Sequence, residues 1–190
     1  MTYNTKAIIM KNLTKLFLGI LFASVIFTGC KEAEEILYVN FPADYQTEFD
    51  ITVAPSGGKV SIDGIFNVSE TIDPTTNNDY QQYIDNIKEV DITEVKGEVL
   101  SISKNIMLQS TVINISNGDF QATWQFSNEP ITVGTALILD NNNGQWDAVG
   151  NIMLGKKAFT VTIDGETDQD DVEFVVLFSL KSFVTASPLD

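Results

Sequence analysis

The chain has 190 residues, with 26 Asp or Glu against 11 Lys, no arginine, no histidine, one cysteine and a formal charge of −15 at pH 7. A chain this acidic cannot hold nucleic acid by neutralising phosphates, which takes clustered Lys and Arg. Without histidine, Ser–His and Cys–His hydrolysis and zinc sites built on His and Cys are excluded. Carboxylate pairs of the glycosidase kind are not singled out by any spacing, so no enzymatic activity is expected.

The first thirty residues differ from the rest. They hold no acidic residue, three lysines (Lys6, Lys11, Lys15) and an apolar run from Leu16 to Phe27 broken only by Gly19 and Ser24. A basic stretch, a short apolar core and a small-residue cleavage site mark a secretory signal. The run falls short of the roughly 20 apolar residues a membrane span needs. Met10 opens a tighter version of the same signal, and a start there would give the same mature chain.

Phe27-Thr28-Gly29-Cys30 resembles the lipobox of bacterial lipoproteins. That resemblance implies cleavage before Cys30, acylation of its thiol and an N-terminal lipid anchor. Two or three acyl chains hold firmly, at about 0.8 kcal/mol per buried methylene. The next residues, Lys31-Glu32-Ala33-Glu34-Glu35, are similar to the lysine-plus-acidic export tag of Bacteroidetes lipoproteins, with Ala33 interrupting the acidic run. The tag implies the outer membrane, with the cell surface favoured over the periplasmic face. The plain alternative is a solvated acidic tether. Residues 1–29 are therefore expected to be a removed signal peptide, 30–44 a tether and 45–190 a single domain. Removing residues 1–29 leaves 8 lysines and all 26 acidic residues, a formal charge of −18, which favours solubility and self-avoidance on a crowded membrane.

Within 45–190, Ile, Val, Phe and Thr dominate and turn residues recur at short intervals, the pattern of a β-sandwich or barrel. Alternation at Phe49, Ile51 and Val53, then at Val60 and Ile62 beyond Pro55-Ser56-Gly57-Gly58, predicts strands at 46–54 and 58–69 as the first pair. Tyr80, Tyr83, Ile84 and Ile87 fall at helical spacing, predicting a short helix over 78–88 capped by Asn77 or Asn78. A β-rich segment over 90–99 follows. Residues 105–116 and 118–127 read as a hairpin turning at Asn117-Gly118. The apolar stretch 131–139 is ambiguous, Asp140–Gly144 reads as a turn, and Gln145–Lys156 as a short helix with Trp146, Val149, Ile152 and Met153 inward. Ala158–Ile163 and Val172–Thr185 are predicted strands around a loop over 164–171. The last strand, apolar on both faces between Phe174 and Phe178, is placed centrally in a sheet and covered on each side.

The expected fold is all-β: an antiparallel β-sandwich, immunoglobulin-like or jelly-roll-like, with one or two short helices. The order of strands, a Tyr-containing helix, more strands and a final long hairpin is similar to β-sandwich lipoproteins of Bacteroidetes, a likeness that implies no activity.

Three groups of residues offer chemistry. The loop holding Asp164, Glu166, Asp168, Asp170 and Asp171 concentrates carboxylates where calcium would find oxygen ligands. Its spacing lacks the EF-hand glycine and closing glutamate, so a solvated loop is the competing reading. The turn Asp140-Asn141-Asn142-Asn143-Gly144-Gln145-Trp146-Asp147 poses the same choice. Tyr80, Tyr83, Trp124 and Trp146 could stack on sugar rings. Trp124, in phase with Phe120, Ala122 and Phe126, reads as core, and the tyrosines lie on the helix face expected to pack inward.

The functional expectation is a non-catalytic binding or accessory subunit attached to the membrane by its lipid and to another envelope protein or an extracellular ligand. The alternative is a carrier with a lipid or other apolar ligand between its sheets, suggested by the two-sided apolarity of residues 172–180. A calcium-dependent adhesin or glycan-binding module is the third reading.

Overall fold

A computed structural model describes residues 38–55 and 64–188; Cys30, the signal and the export tag lie outside them. Nine strands run among the described residues: β1 (Val39–Pro42), β2 (Tyr45–Val53), β3 (Gly64–Ile72), β4 (Ile87–Ile102), β5 (Ile106–Ser116), β6 (Gln121–Ile131), β7 (Ala136–Ile138), β8 (Phe159–Thr167) and β9 (Val172–Ala186). Helix α1 (Asn78–Gln82) lies between β3 and β4, and α2 (Gln145–Leu154) between β7 and β8.

The strands form two antiparallel sheets. In the first, β9 is central, flanked by β4 and then β7 on one side and by the collinear β1 and β2 on the other; the second runs β3-β8-β5-β6. The pairs β2·β9, β3·β8, β4·β7 and β5·β6 are nested around the β5–β6 turn. A long hairpin rolled up so that β9 also meets β4 and β8 also meets β5 has this connectivity, which is the jelly roll. It decides between the two sandwich types that alternation alone left open.

Alternation explains the layers. In β9, Val172, Phe174, Val176 and Phe178 face the other sheet, and in β8 Phe159, Val161 and Ile163 answer them. Phe66 and Phe174 meet edge to face across the layer, ring centroids 5.5 Å apart and planes at 90°. Buried side chains of both sheets meet in this space, and the clefts described below lie on the outside of the sheets.

Several expectations are corrected. Among the described residues, which leave out 58–63 of the expected second strand, the two first strands do not pair with each other: β2 pairs with β9 and β3 with β8. Residues 39–44, assigned to the tether by their position after the acidic run, belong to the domain. Val39–Pro42 pairs with Pro42↔Phe183 through Val39↔Ala186, and Ala43 N donates to Ser182 O at 2.9 Å. β9 is central, as expected, but its outward Val175 and Leu177 are only half-buried. They are flanked by Asp50, Glu48 and Glu98 on neighbouring strands rather than by another layer.

The helix expected over 78–88 is shorter: α1 ends at Gln82 and a 3-10 turn (Ile84–Asn86) leads into β4. Asn77 is its cap, the side-chain oxygen accepting from Tyr80 N at 3.0 Å. Helix α2 lies directly on the backbone of β4. A methyl at Gly150 would come within 2.8 Å of Val90 O, so the close approach requires glycine there.

Candidate functional site

The outer faces of the two sheets differ in charge. The first presents Glu48 and Asp50 from β2, Glu89, Asp91, Glu94 and Glu98 from β4, and Glu173 from β9. Lys181 answers Glu94 at 2.9 Å and Lys96 answers Glu98 at 3.2 Å. The Lys181 hydrogen bond holds the Glu94 carboxyl below its ordinary range, and the same contact raises Lys181.

The second sheet's outer face is a field of hydroxyls and amides. Its cross-strand rows run Ser69–Thr162–Asn114–Thr123 and Thr71–Thr160–Ser116–Gln121 at one end. They continue through Val112–Gln125 and Ser110–Ser127 toward the other end. Side chains bond to one another across the strands: Ser69 Oγ and Thr162 Oγ1 are 3.1 Å apart, and Asn114 Nδ2 donates to Thr123 Oγ1 at 2.9 Å. Asp164 and Glu166 are the carboxylates of this face, and Asn67 donates to Asp164.

Two clefts flank β6. One, of about 430 Å³, lies on this face over Ser110, Val112, Gln125 and Ser127. The other, of about 390 Å³, lies between β6 and the turn after β7, against Thr123, Trp124, Ile138, Asp140, Asn142, Asn143 and Gln145. Gln125 and Phe126 line both. A third cleft, of about 490 Å³, opens on the acidic face between Asp50, Glu173, Ser101 and Ser103.

The walls of the β6 clefts are held locally. Asn117 closes the β5–β6 turn, its side-chain oxygen accepting from Asp119 N at 3.1 Å and Phe120 N at 3.0 Å, with Gly118 at φ +90°. β6 therefore begins at Gln121, three residues later than expected, and Phe120 is exposed. In the next turn, Asn141 Oδ1 accepts from Trp146 N at 2.9 Å, Asn143 N donates to Gln145 Oε1 at 2.8 Å, and Gly144 takes φ +77°. The two indoles pin successive carbonyls: Trp146 Nε1 donates to Leu139 O at 2.8 Å and Trp124 Nε1 to Asp140 O at 2.7 Å.

The expected sugar-stacking residues are placed elsewhere. Tyr80 is fully buried, its hydroxyl donating to Met153 O at the end of α2, and burial pushes its pKa up to about 12. Tyr83 packs on Phe41 with centroids 5.5 Å apart. Trp146 is half-buried against the turn it braces. None of the three faces a common surface. Trp124 is core, as its phase indicated, at 5% exposure.

The carboxylate loop is also corrected. Asp164 and Glu166 are strand residues, paired with Asn67 and Ile65, because β8 runs on to Thr167 where its partners β3 and β5 continue. Asp168 Oδ1 accepts from Met107 N at 2.8 Å, while Asp171 takes φ +55° at the start of β9. Lys104 Nζ donates to Asp170 O at 2.7 Å. Among the described residues no group of three or more acidic, His or Cys side chains is placed to hold a metal ion. What the sequence reading missed is the run of Thr, Ser, Asn and Gln at alternate positions of four strands. That signal was present in β6 as Gln121, Thr123, Gln125 and Ser127, but its weight emerges only when the strands are laid side by side.

The fold and these clefts define a jelly-roll β-sandwich with one carboxylate-rich outer face and one dominated by hydroxyls and amides. No family model matches the chain, and no curated protein matches it. Among solved structures it is similar to the BFDV capsid protein in its decameric form, with a TM-score of 0.43 and 10% identity over 80% of this chain and 99% of that one. The 60-mer form of the same capsid protein gives a TM-score of 0.36 and 12% identity, over 80% of this chain and 96% of that one. Desmodium yellow mottle tymovirus gives 0.24 and 8%, over 80% and 92%. At such scores and identities nothing about activity or partners passes to this chain.

Proposed function

We propose that the chain is a lipid-anchored lipoprotein of a bacterial outer membrane, facing the cell surface, whose domain is a non-catalytic binding subunit of an envelope complex. The anchor reading rests on the signal-like first 29 residues, the lipobox-like Phe27–Cys30 and the acidic run that follows. The binding reading rests on one observation: a domain of strongly negative charge keeps one sheet face almost free of charge and covers it with hydrogen-bonding side chains. Repulsion keeps the carboxylate-rich face away from other anionic surfaces. A partner covering the hydroxyl and amide face meets two carboxylates, Asp164 and Glu166, where the other face would present seven, and burying unpaired charge is costly. The absence of histidine and the expected acylation of the lone cysteine fit a chain that binds rather than catalyses.

The test is chemical. Full-length protein expressed in a bacterium that processes lipoproteins should partition into detergent, and its N-terminal peptide should carry acyl chains on Cys30 by mass spectrometry. Cys30→Ser should lose both properties. An unmodified Cys30 peptide in a membrane-free fraction would refute the anchor, and resistance to protease added to intact cells would refute surface display.

A further inference from the structure

We infer that the paired clefts along β6 bind an uncharged polysaccharide, with Gln125 at the centre of the contact. This deepens the reading of the domain as a binding module and rests on it.

Charge limits the choice first. No lysine lines either cleft, and the one charged side chain there, Asp140, is a carboxylate, so nothing there recruits a phosphate, a sulfate or an acidic polymer. Asp140 Oδ2 already accepts from Asn142 Nδ2, and most of the carboxylates that would attract a polycation lie on the opposite face.

Chemistry limits it further. Protein partners are anchored by Trp, Tyr or Arg entering fully desolvated pockets. Here the indole N–H groups of Trp124 and Trp146 are turned to backbone carbonyls, and amides and hydroxyls make up most of the polar cleft wall. Such groups both donate and accept, as sugar hydroxyls do. Apolar contact for the C–H faces of a sugar ring comes from Val112 in one cleft and Ile138, 57% exposed, in the other.

Shape supplies the polymer. Gln125 and Phe126 line both clefts, so an extended ligand that fills one is carried across β6 into the other. The turn on the far side is already fixed by the Asn141–Trp146 and Asn143–Gln145 hydrogen bonds. Little ordering of that wall is then needed on binding, and preorganisation of this kind lowers the cost of association.

The experiment is native affinity electrophoresis of the detergent-solubilised lipoprotein through gels containing dextran, mannan, xylan or starch, with polygalacturonate as the anionic control. Retardation by at least one neutral polymer and none by polygalacturonate is expected. Gln125→Ala should weaken retardation at least tenfold with unchanged thermal unfolding. Glu48→Ala, on the opposite sheet, should leave retardation unaltered. No retardation by any neutral polymer, or retardation indifferent to Gln125, overturns the inference. A protein partner cross-linked through position 125 also overturns it, yet leaves the binding-module reading intact; an unacylated Cys30 fails only the anchor.

Discussion

Gly165 tests the packing of the second sheet against the first. It lies in β8 opposite Phe66 of β3, and its φ is one that any residue adopts, so alanine there meets no backbone strain. The added methyl would lie 2.3 Å from Phe66 Cζ, 2.7 Å from Phe66 Cε1 and 3.0 Å from Thr111 Oγ1. Carbon atoms in contact sit about 3.5–4.0 Å apart, so the ring must move by about 1.2–1.7 Å. It cannot do so freely, because its edge-to-face contact holds it to Phe174.

Overpacking of this kind costs about 1–3 kcal/mol, and loss of the aromatic pair up to about 1.5 kcal/mol more. Alanine recovers about 0.4–1 kcal/mol by restricting the unfolded chain. The net expectation for Gly165→Ala is a loss of roughly 1–3 kcal/mol, or a Tm lower by about 3–10 °C for a domain of this size. Thermal unfolding followed by far-UV circular dichroism and by the fluorescence of Trp124 and Trp146 measures it. In a Phe66→Leu background the shorter side chain no longer reaches position 165, and the same substitution should cost at least about 1 kcal/mol less. A Gly165→Ala protein as stable as the parent, or an equal loss in both backgrounds, would refute the reasoning.

Two further outcomes follow from single buried groups. Thr111 is 1% exposed and its hydroxyl has no hydrogen-bond partner among the described residues; Thr111→Val keeps the shape and should raise stability by about 1 kcal/mol, checked as a rise in Tm, whereas a loss of similar size would mean that the hydroxyl is satisfied. Tyr80→Phe should cost about 1 kcal/mol at neutral pH by removing the donor to Met153 O. Burial raises the folded pKa of Tyr80 to about 12 from 10.0, so its contribution is complete below pH 10 and is lost as the pH climbs from 10 toward 12. The alkaline part of the stability curve should therefore be shallower in Tyr80→Phe than in the parent. Tyr45, raised mainly by burial and then by the charges of Tyr80, Asp73 and Asp44, keeps a residual decline in both. Identical alkaline slopes would refute the assignment to Tyr80.

Period-two alternation made the strands legible, because each has one face in the core and residues such as Phe49, Ile51 and Val53 declare it. Asn117-Gly118 marked the β5–β6 turn for a local reason: the Asn side chain and the left-handed glycine build it with no distant partner. The central place of β9 was legible from Phe174 to Phe178, since a strand with two neighbours tolerates apolar residues on its outward side. Charge balance and the missing histidine excluded whole classes of chemistry before any fold was in view.

Pairing was decided only in three dimensions. β2 meets β9 and β3 meets β8 across most of the chain, and nothing local to Ile51 distinguishes Phe174 from a strand nearer in sequence. The same holds for the candidate site. Asp164 and Glu166 left the acidic loop because β3 and β5 extend their strand, while Tyr80 is buried on Met153 O and the half-buried Tyr83 and Trp146 are held by Phe41 and Leu139 O, so the three share no platform. A neutral face assembled from Thr162, Asn114 and Thr123 exists only once three strands lie side by side. Alternation tells each strand which side is inward, but long-range hydrogen bonding and core volume choose its neighbours, and a shared surface belongs to the neighbours.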